Sequence, residues 1–337
     1  MFTSSISIAR LASCLFGLAI GASAQATALD ANTAASPFSG VVSINIQYGG
    51  NSFICSGALV GARSVVTSGS CVDTNGNGAV VDLTEPGSSV TVIFNSDGAN
   101  NAQVAASAVA LHPDFQGFNA CPAAASPGNN CLGDDLAVLT LSAAAPASAA
   151  IYSVATNPLT AGAAILVAGY GNAGNGADPA GAASYTVKHT GANQADVFDG
   201  NDEEDFGGAN EVFYADFDGN GIDSFCGRIG VCTGQFAPGV ESTIASGDIG
   251  GPMFITQNGR LVLAGIDTFT GGYGEPAGTF GSYFGGVLLA SYGDFLLAAT
   301  DGAVTLLPAT PAPVPEPGSL ALLGLGIALL ARRSHRA

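Results

Sequence analysis

Short apolar runs separated by turn residues recur along the central part of the chain. Most are four to seven residues long, rich in Val and Ile, and bounded by Gly, Asn, Ser or Pro. β-Branched residues favour strands, and short runs between turn signals are typical of a β-sandwich or barrel. The pattern predicts strands at Val41–Gln47, Ala58–Val60, Val65–Val66, Val90–Phe94, Ala137–Leu141, Ile165–Ala168, Leu261–Ile266 and Phe284–Leu289.

Polar, turn-rich stretches interrupt this pattern. Asp73–Gly87 and Gly171–Gly208 are rich in Gly, Asn and Asp, so both are predicted to be surface loops. A short helix is expected at Asp294–Ala299, after the last strand. We therefore predict one all-β domain over residues 37–298, followed by a Pro/Ala-rich linker at 299–313.

The N-terminal segment has the features of a secretory signal peptide. Arg10 precedes the apolar run Leu11–Ile20, and an Ala-x-Ala site ends at Ala24. The run is too short to span a membrane as an anchor. We expect residues 1–24 to be removed, with cleavage after Ala26 as the alternative.

The C-terminal segment, 314–337, has three parts. A small motif at Val314–Ser319 precedes the apolar run Leu320–Ala331, and a basic tail follows. The segment closely resembles the PEP-CTERM sorting signal of Gram-negative bacteria. The resemblance implies transient membrane association through the C-terminal helix and processing near Pro315–Pro317 by an exosortase. Release to the cell surface, the extracellular matrix or the medium would follow, whereas a plain tail anchor is the alternative.

The net charge of the chain limits which partners it can bind electrostatically. The chain has 337 residues with 8 Lys+Arg and 26 Asp+Glu, a net charge of −18. Charged residues make up only 10% of it, against about 25% in ordinary proteins. Only four basic residues lie outside the two terminal segments, at Arg63, Lys188, Arg228 and Arg260. Binding to nucleic acid or to an anionic membrane by charge is therefore excluded, and an ionic partner should be a cation.

Cysteine usage agrees with export. One of seven cysteines lies in the signal peptide, and six remain, an even number typical of disulfides in exported proteins. Six cysteines allow 15 pairings. The simplest is local and joins Cys55 with Cys71, Cys121 with Cys131, and Cys226 with Cys232.

Three segments resemble the catalytic segments of trypsin-like serine peptidases. They are Cys55–Cys71, Cys131–Leu141 and Ser246–Met253, in the order of the family's His, Asp and Ser segments. Smaller matches are Leu111–Phe115, Val167–Gly171 and Leu263–Ile266. The resemblance implies two six-stranded antiparallel β-barrels with the active site between them.

The family's catalytic chemistry needs a serine nucleophile, a histidine base and an aspartate that orients the histidine. Asp135 matches the aspartate. Ser70 occupies the histidine position and cannot act as a base near neutral pH, while Ile249 occupies the serine position and has no nucleophilic atom. The resemblance therefore predicts a degenerate triad.

Other parts of the family's site are retained. The amides of Gly247 and Ile249 match the oxyanion hole, and Thr243 matches the base of the specificity pocket. Asp248 matches the acid that pairs with a new N-terminal amine in activated members. An Ile-Val-Gly-Gly start is missing from this chain, so we expect backbone amides to hold Asp248 instead.

The two histidines of the predicted domain give no substitute base. His112 lies in a turn motif and is expected to pack structurally, and His189 is expected on the surface of the second loop.

An acidic segment offers a candidate metal site. Ten acids fall within 28 residues, between Asp196 and Asp223. Asp216, Asp218 and Asn220 resemble the first half of a calcium loop, although Gly227 replaces the Glu expected at its twelfth position. A solvated acidic loop is the alternative. No cofactor is required, and calcium is the candidate ligand.

Two function classes remain. The leading hypothesis is an exported protease homologue without catalysis, displayed at the surface of a Gram-negative bacterium to bind a matrix component or a protein. The alternative is an active serine endopeptidase or other hydrolase with a relocated nucleophile. A structural matrix protein without a specific ligand is a third hypothesis.

Overall fold

The computed structural model describes residues 28–30, 32–95, 102–172, 176, 183–234, 236 and 240–308. The predicted signal peptide, the sorting signal and the end of the linker lie outside these residues. Within the described part of the chain, no helix is long and apolar enough to cross a membrane.

The first half of the domain forms a closed barrel of six antiparallel strands. Apolar side chains such as Ile44, Leu59, Val92 and Leu139 fill the barrel and are fully buried. The strands are β2 (Val41–Tyr48), β3 (Asn51–Gly61), β4 (Ser64–Thr67), β5 (Ser89–Phe94), β6 (Ala102–Leu111) and β7 (Ala137–Leu141). Around the barrel they follow the order β2-β3-β4-β7-β6-β5.

The second half is a ten-stranded sheet. Its strands are β1 (Ala28–Leu29), β8 (Val154–Ala155), β9 (Ala163–Gly169), β10 (His189–Ala195), β11 (Val197–Asn201), β12 (Gly207–Asp216), β13 (Pro252–Gln257), β14 (Arg260–Gly272), β15 (Ser282–Leu288) and β16 (Leu306–Leu307).

Six of these strands form a continuous run, β10-β9-β13-β14-β15-β12, and β1, β8, β11 and β16 extend it. The two ends of the run meet, because the Asn193 amide in β10 donates to the Asp216 carbonyl in β12 at 2.7 Å. The all-β, trypsin-like architecture predicted from the sequence is thus confirmed, with one closed barrel and a second, larger sheet.

Helices are short in the described residues. α1 (Ser224–Ile229) follows β12, and α2 (Gly293–Ala299) follows β15. The second matches the predicted helix near the C-terminus. The three disulfides join the cysteines locally, Cys55–Cys71, Cys121–Cys131 and Cys226–Cys232.

The prediction of a loop over Gly171–Gly208 was wrong for its second part, which contains β10 and β11. The strand β10 has the sequence HTGANQA and lacks an apolar run. It is held instead by pairing with β9 and by Asn193, whose buried amide also donates to the Ser242 carbonyl at 2.7 Å. Polar side chains with internal partners therefore replace the apolar signal that the prediction relied on.

Ser56 joins the two halves of the domain. Its hydroxyl, fully buried in β3, donates to the Gly247 carbonyl at 2.8 Å and accepts from the Tyr170 amide at 2.9 Å. Its backbone amide donates to the Ile249 carbonyl at 2.8 Å. One residue of the barrel thus positions the segment around Ile249, which belongs to the second half.

We predict that Ser56→Ala lowers the free energy of unfolding by about 2 kcal/mol, because a buried carbonyl and a buried amide lose their partner. The measurement is urea unfolding. Ser52→Ala is the control, since Ser52 lies in the same strand but is exposed, and its hydroxyl contacts only exposed groups. Equal effects of the two substitutions would contradict the role of Ser56.

Candidate active site

Ser70 and Asp135 lie side by side in the barrel half. Asp135 precedes β7, and Ser70 follows β4. The Asp135 Oδ1 accepts hydrogen bonds from the Ser68 hydroxyl and from the Ser70 amide, each at 2.6 Å. The hydroxyls of Ser68 and Ser70 are also 2.6 Å apart. The carboxylate that would orient a histidine is thus held by a pair of serines.

Burial dominates the electrostatics of Asp135. Its side chain is 1% exposed, and burial raises its pKa to about 6, although the hydrogen bonds from Ser68 and Ser70 favour the charged form. Its second oxygen, Oδ2, has no hydrogen-bond partner among the described residues. An acid in this environment can be protonated in mildly acidic solution.

Ile249 lies in the segment before β13. Its partly buried side chain packs against the apolar cores of both halves. Its carbonyl accepts the Ser56 amide. The side chain therefore acts as an apolar contact between the two halves of the domain. Assigning Ser70 and Ile249 to the histidine and serine positions stays a prediction from the motifs.

The two amides of the predicted oxyanion hole belong to the segment before β13. Gly247 has φ of +97°, a left-handed conformation that glycine adopts without strain. Within the described residues, the amides of Gly247 and Ile249 donate no hydrogen bond. Both remain available to an acceptor, and neither depends on a side chain.

Asp248 is held by backbone, as expected. Its Oδ1 accepts the Gly171 amide at 2.7 Å, and its Oδ2 accepts the Ala245 amide at 2.9 Å. A Cβ at Gly169 or Gly171 would overlap this carboxylate. The segment from Ala245 to Gly251 thus has internal support that uses no N-terminal amine.

Within the described residues, neither His112 nor His189 forms a side-chain hydrogen bond with a serine, threonine or cysteine side chain. His112 packs against the rings of Tyr292 and Phe295, and its Nδ1 lies 3.0 Å from Asp134 Oδ1. His189 is 6% exposed and lies in β10, so its expected position on the surface was wrong. Burial lowers the pKa of His189, and its Nδ1 has no partner in the described part of the chain.

The predicted pocket residue Thr243 is 2% exposed, and its hydroxyl has no hydrogen-bond partner among the described residues. Sequence reasoning missed Asp267, which is 1% exposed in β14, with both carboxylate oxygens likewise unpartnered there. Burial, together with the charge of Asp248, raises the pKa of Asp267 well above its ordinary value. The available signal was an acid placed directly after the apolar run Leu261–Ile266.

Two of the three predicted calcium-loop residues, Asp216 and Asp218, are near each other. One oxygen from each lies within 4.8 Å of the other and of one oxygen of Asp223, which was not part of the predicted site. The third predicted residue, Asn220, has a left-handed φ of +52°. Asp216 Oδ2 accepts from the Phe225 amide at 2.7 Å and from the Ser224 hydroxyl at 3.1 Å. These carboxylates therefore hold the start of α1, which gives them a structural role without a metal.

Comparisons with known proteins agree with the motifs. The family model described as Trypsin matches residues 30–284, more than half of the chain. The model described as the PEP-CTERM protein-sorting motif matches residues 313–337. None of the curated proteins compared matches the chain. The sorting motif indicates export to the surface or exterior of a Gram-negative cell, and it implies recognition by an exosortase-type enzyme.

The raised pKa of Asp248 predicts a pH-dependent stability. Burial raises it from 3.8 to about 6, so between these pH values the folded chain keeps a proton that the unfolded chain has lost. Stability from this group is therefore present below about pH 4 and is lost as the pH rises through 6.

We subtract the unfolding free energy of the Asp248→Asn variant from that of the unmodified protein. This difference should fall by about 2–3 kcal/mol from pH 4 to pH 7, because only the unmodified protein loses stability as Asp248 ionises. Urea unfolding at each pH measures it. A difference that stays constant, or grows with pH, would contradict this account.

Proposed function

The chain belongs to the trypsin family, and from that premise we propose that it is an exported member without proteolytic activity that acts as a binding protein at the cell surface. Its partner would be an extracellular matrix component or another protein. The observation that carries the proposal is the contact of Asp135 with two serines where the family mechanism needs an imidazole.

The loss of reaction rate expected from these two replacements supports the proposal that the protein is inactive. A serine hydroxyl cannot take a proton from a nucleophile near neutral pH, and the side chain of Ile249 has no atom to attack with. In subtilisin, which has the same triad on another fold, losing the serine or histidine reduces kcat about 10⁶-fold, or roughly 8 kcal/mol of barrier. Both positions are changed here.

The placement of the histidines favours this proposal over a relocated active site. A working nucleophile needs a base within hydrogen-bond distance. His112 is enclosed by two aromatic rings and Asp134, and His189 is buried in a strand of the second sheet. Neither hydrogen-bonds a serine, threonine or cysteine side chain within the described residues.

The retained scaffold supports a binding role. The segment around Ile249 is still fixed by Ser56 and Asp248. Outside the two terminal segments the chain has 25 acidic and four basic residues. A surface of this charge attracts basic partners and repels acidic ones. We therefore expect a partner with a basic surface.

Hydrolysis of an unstructured protein substrate tests the loss of catalysis. We expect the purified protein to be inactive, because it lacks both the base and the nucleophile. The double variant Ser70→His, Ile249→Ser restores both groups beside Asp135 and should gain measurable turnover if the oxyanion amides remain in place.

The single variants Ser70→His and Ile249→Ser are the matched controls, and each should remain at background, because each lacks one reacting group. The proposal would be refuted if the unmodified protein hydrolysed the substrate and this activity co-purified with the protein through successive columns.

A further inference from the structure

A second group of acids lies where the two halves of the domain meet. Asp134 lies next to Asp135, near the end of the loop between β6 and β7. Asp202 and Glu203 lie in the turn between β11 and β12. One oxygen from each of these three side chains lies within 4.8 Å of the others. With Glu211 of β12, we call this group the carboxylate cluster.

Two members of the carboxylate cluster are buried with unsatisfied oxygens. Asp202 is 4% exposed and Glu211 is 6% exposed. Asp202 Oδ1 and Glu211 Oε2 have no hydrogen-bond partner among the described residues. Burying a carboxylate oxygen without a donor or a cation is costly.

These carboxylates point toward the same place. A Cβ built on Gly133 would lie 3.2 Å from Glu211 Oε2 and 3.6 Å from Asp202 Oδ2. Gly133 immediately precedes Asp134, so oxygens from the second sheet converge on the backbone beside Asp134. The missing side chain of Gly133 leaves the space between them open.

Basic side chains do not offset this charge. Of the ion pairs formed by described residues, only that of His112 with Asp134 involves the carboxylate cluster. Lys188 pairs with Asp30, and Arg228 pairs with Glu275. The carboxylate cluster thus has four carboxyl groups and one neighbouring imidazole, which contacts Asp134.

The acidic segment at Asp216–Asp223 provides a contrast. There Asp216 Oδ2 receives two hydrogen bonds, and Asp223 Oδ1 accepts the Cys226 amide at 2.8 Å as the N-cap of α1. Those carboxylates have donors within the protein. In the carboxylate cluster, Glu211 Oε1 accepts the Asn201 side-chain amide at 2.7 Å, but Asp202 Oδ1 and Glu211 Oε2 have no donor in the described part of the chain. An external cation is therefore better placed at the carboxylate cluster.

We propose that Asp134, Asp202, Glu203 and Glu211 bind one calcium ion. Calcium takes six to eight oxygen ligands with flexible geometry, which suits several carboxylates from different elements, whereas magnesium demands near-ideal octahedral geometry. Zinc prefers nitrogen and sulfur ligands, and the one nearby imidazole already faces Asp134.

Bound calcium would fasten the barrel to the second sheet. Asp134 belongs to the barrel half, and the other three ligands belong to the β11–β12 hairpin. The two segments already touch, since the Ser126 amide and hydroxyl donate to Asp205 at 2.7 Å and 3.0 Å. The ion would also fix the residue that precedes Asp135.

Calorimetry of the purified protein tests the proposal. We expect the Tm to rise by roughly 5–10 °C between EDTA and millimolar calcium, with one ion bound per chain by titration calorimetry. Magnesium at the same concentration should give a clearly smaller shift.

Glu211→Gln and Asp202→Asn should abolish the calcium-dependent shift. In EDTA their Tm should equal or exceed that of the parent, because each substitution removes a buried, uncompensated charge. That result separates lost binding from lost folding.

Asp218→Asn is the matched control in the other acidic segment and should keep the full shift. Three results would each overturn the proposal: no shift with calcium, a shift abolished by Asp218→Asn but retained in Glu211→Gln, or a shift given by zinc and not by calcium.

Discussion

The protein buries many carboxylates but has few basic side chains to pair with them. Backbone amides and hydroxyls take that role: Asp135 is held by Ser68 and the Ser70 amide, and Asp248 by the amides of Gly171 and Ala245. Each arrangement requires a loop to curl around an acid, so these acids determine the shape of the loops that form the cleft. Asp202 Oδ1 and Glu211 Oε2 have no such donor among the described residues, and there a cation is the remaining way to offset the charge.

The same constraint fixes the position of the segment around Ile249. Positioning the segment around Ile249 depends on Ser56 and Asp248, whose partners are backbone groups. Neither contact involves the reacting groups of a peptidase. On the proposed assignment of Ser70 and Ile249 to the histidine and serine positions, the support of this segment is independent of the triad, while proton transfer and nucleophilic attack lose the atoms they need.

The parts of the fold that could be predicted from the sequence are those with an apolar signal. The strands containing Val90–Phe94 and Ala137–Leu141 were found because their apolar residues pack into the barrel. Strand β10 was not predicted, because it is held by the hydrogen bonds of Asn193 and by strand pairing and has no apolar run. The motifs located Asp135 and Asp248. The carboxylate cluster instead joins Asp134 to acids that come 68 or more positions later in the sequence, and only the fold brings them together.

The most direct test of the central claim, a trypsin-family cleft without a nucleophile, is intact-mass analysis after incubation with a serine-directed fluorophosphonate. The account predicts an unchanged mass for the purified protein, because the side chain of Ile249 has no atom that could form the covalent bond. A stoichiometric adduct, mapped to any serine or threonine of the domain and prevented by prior unfolding, would contradict it.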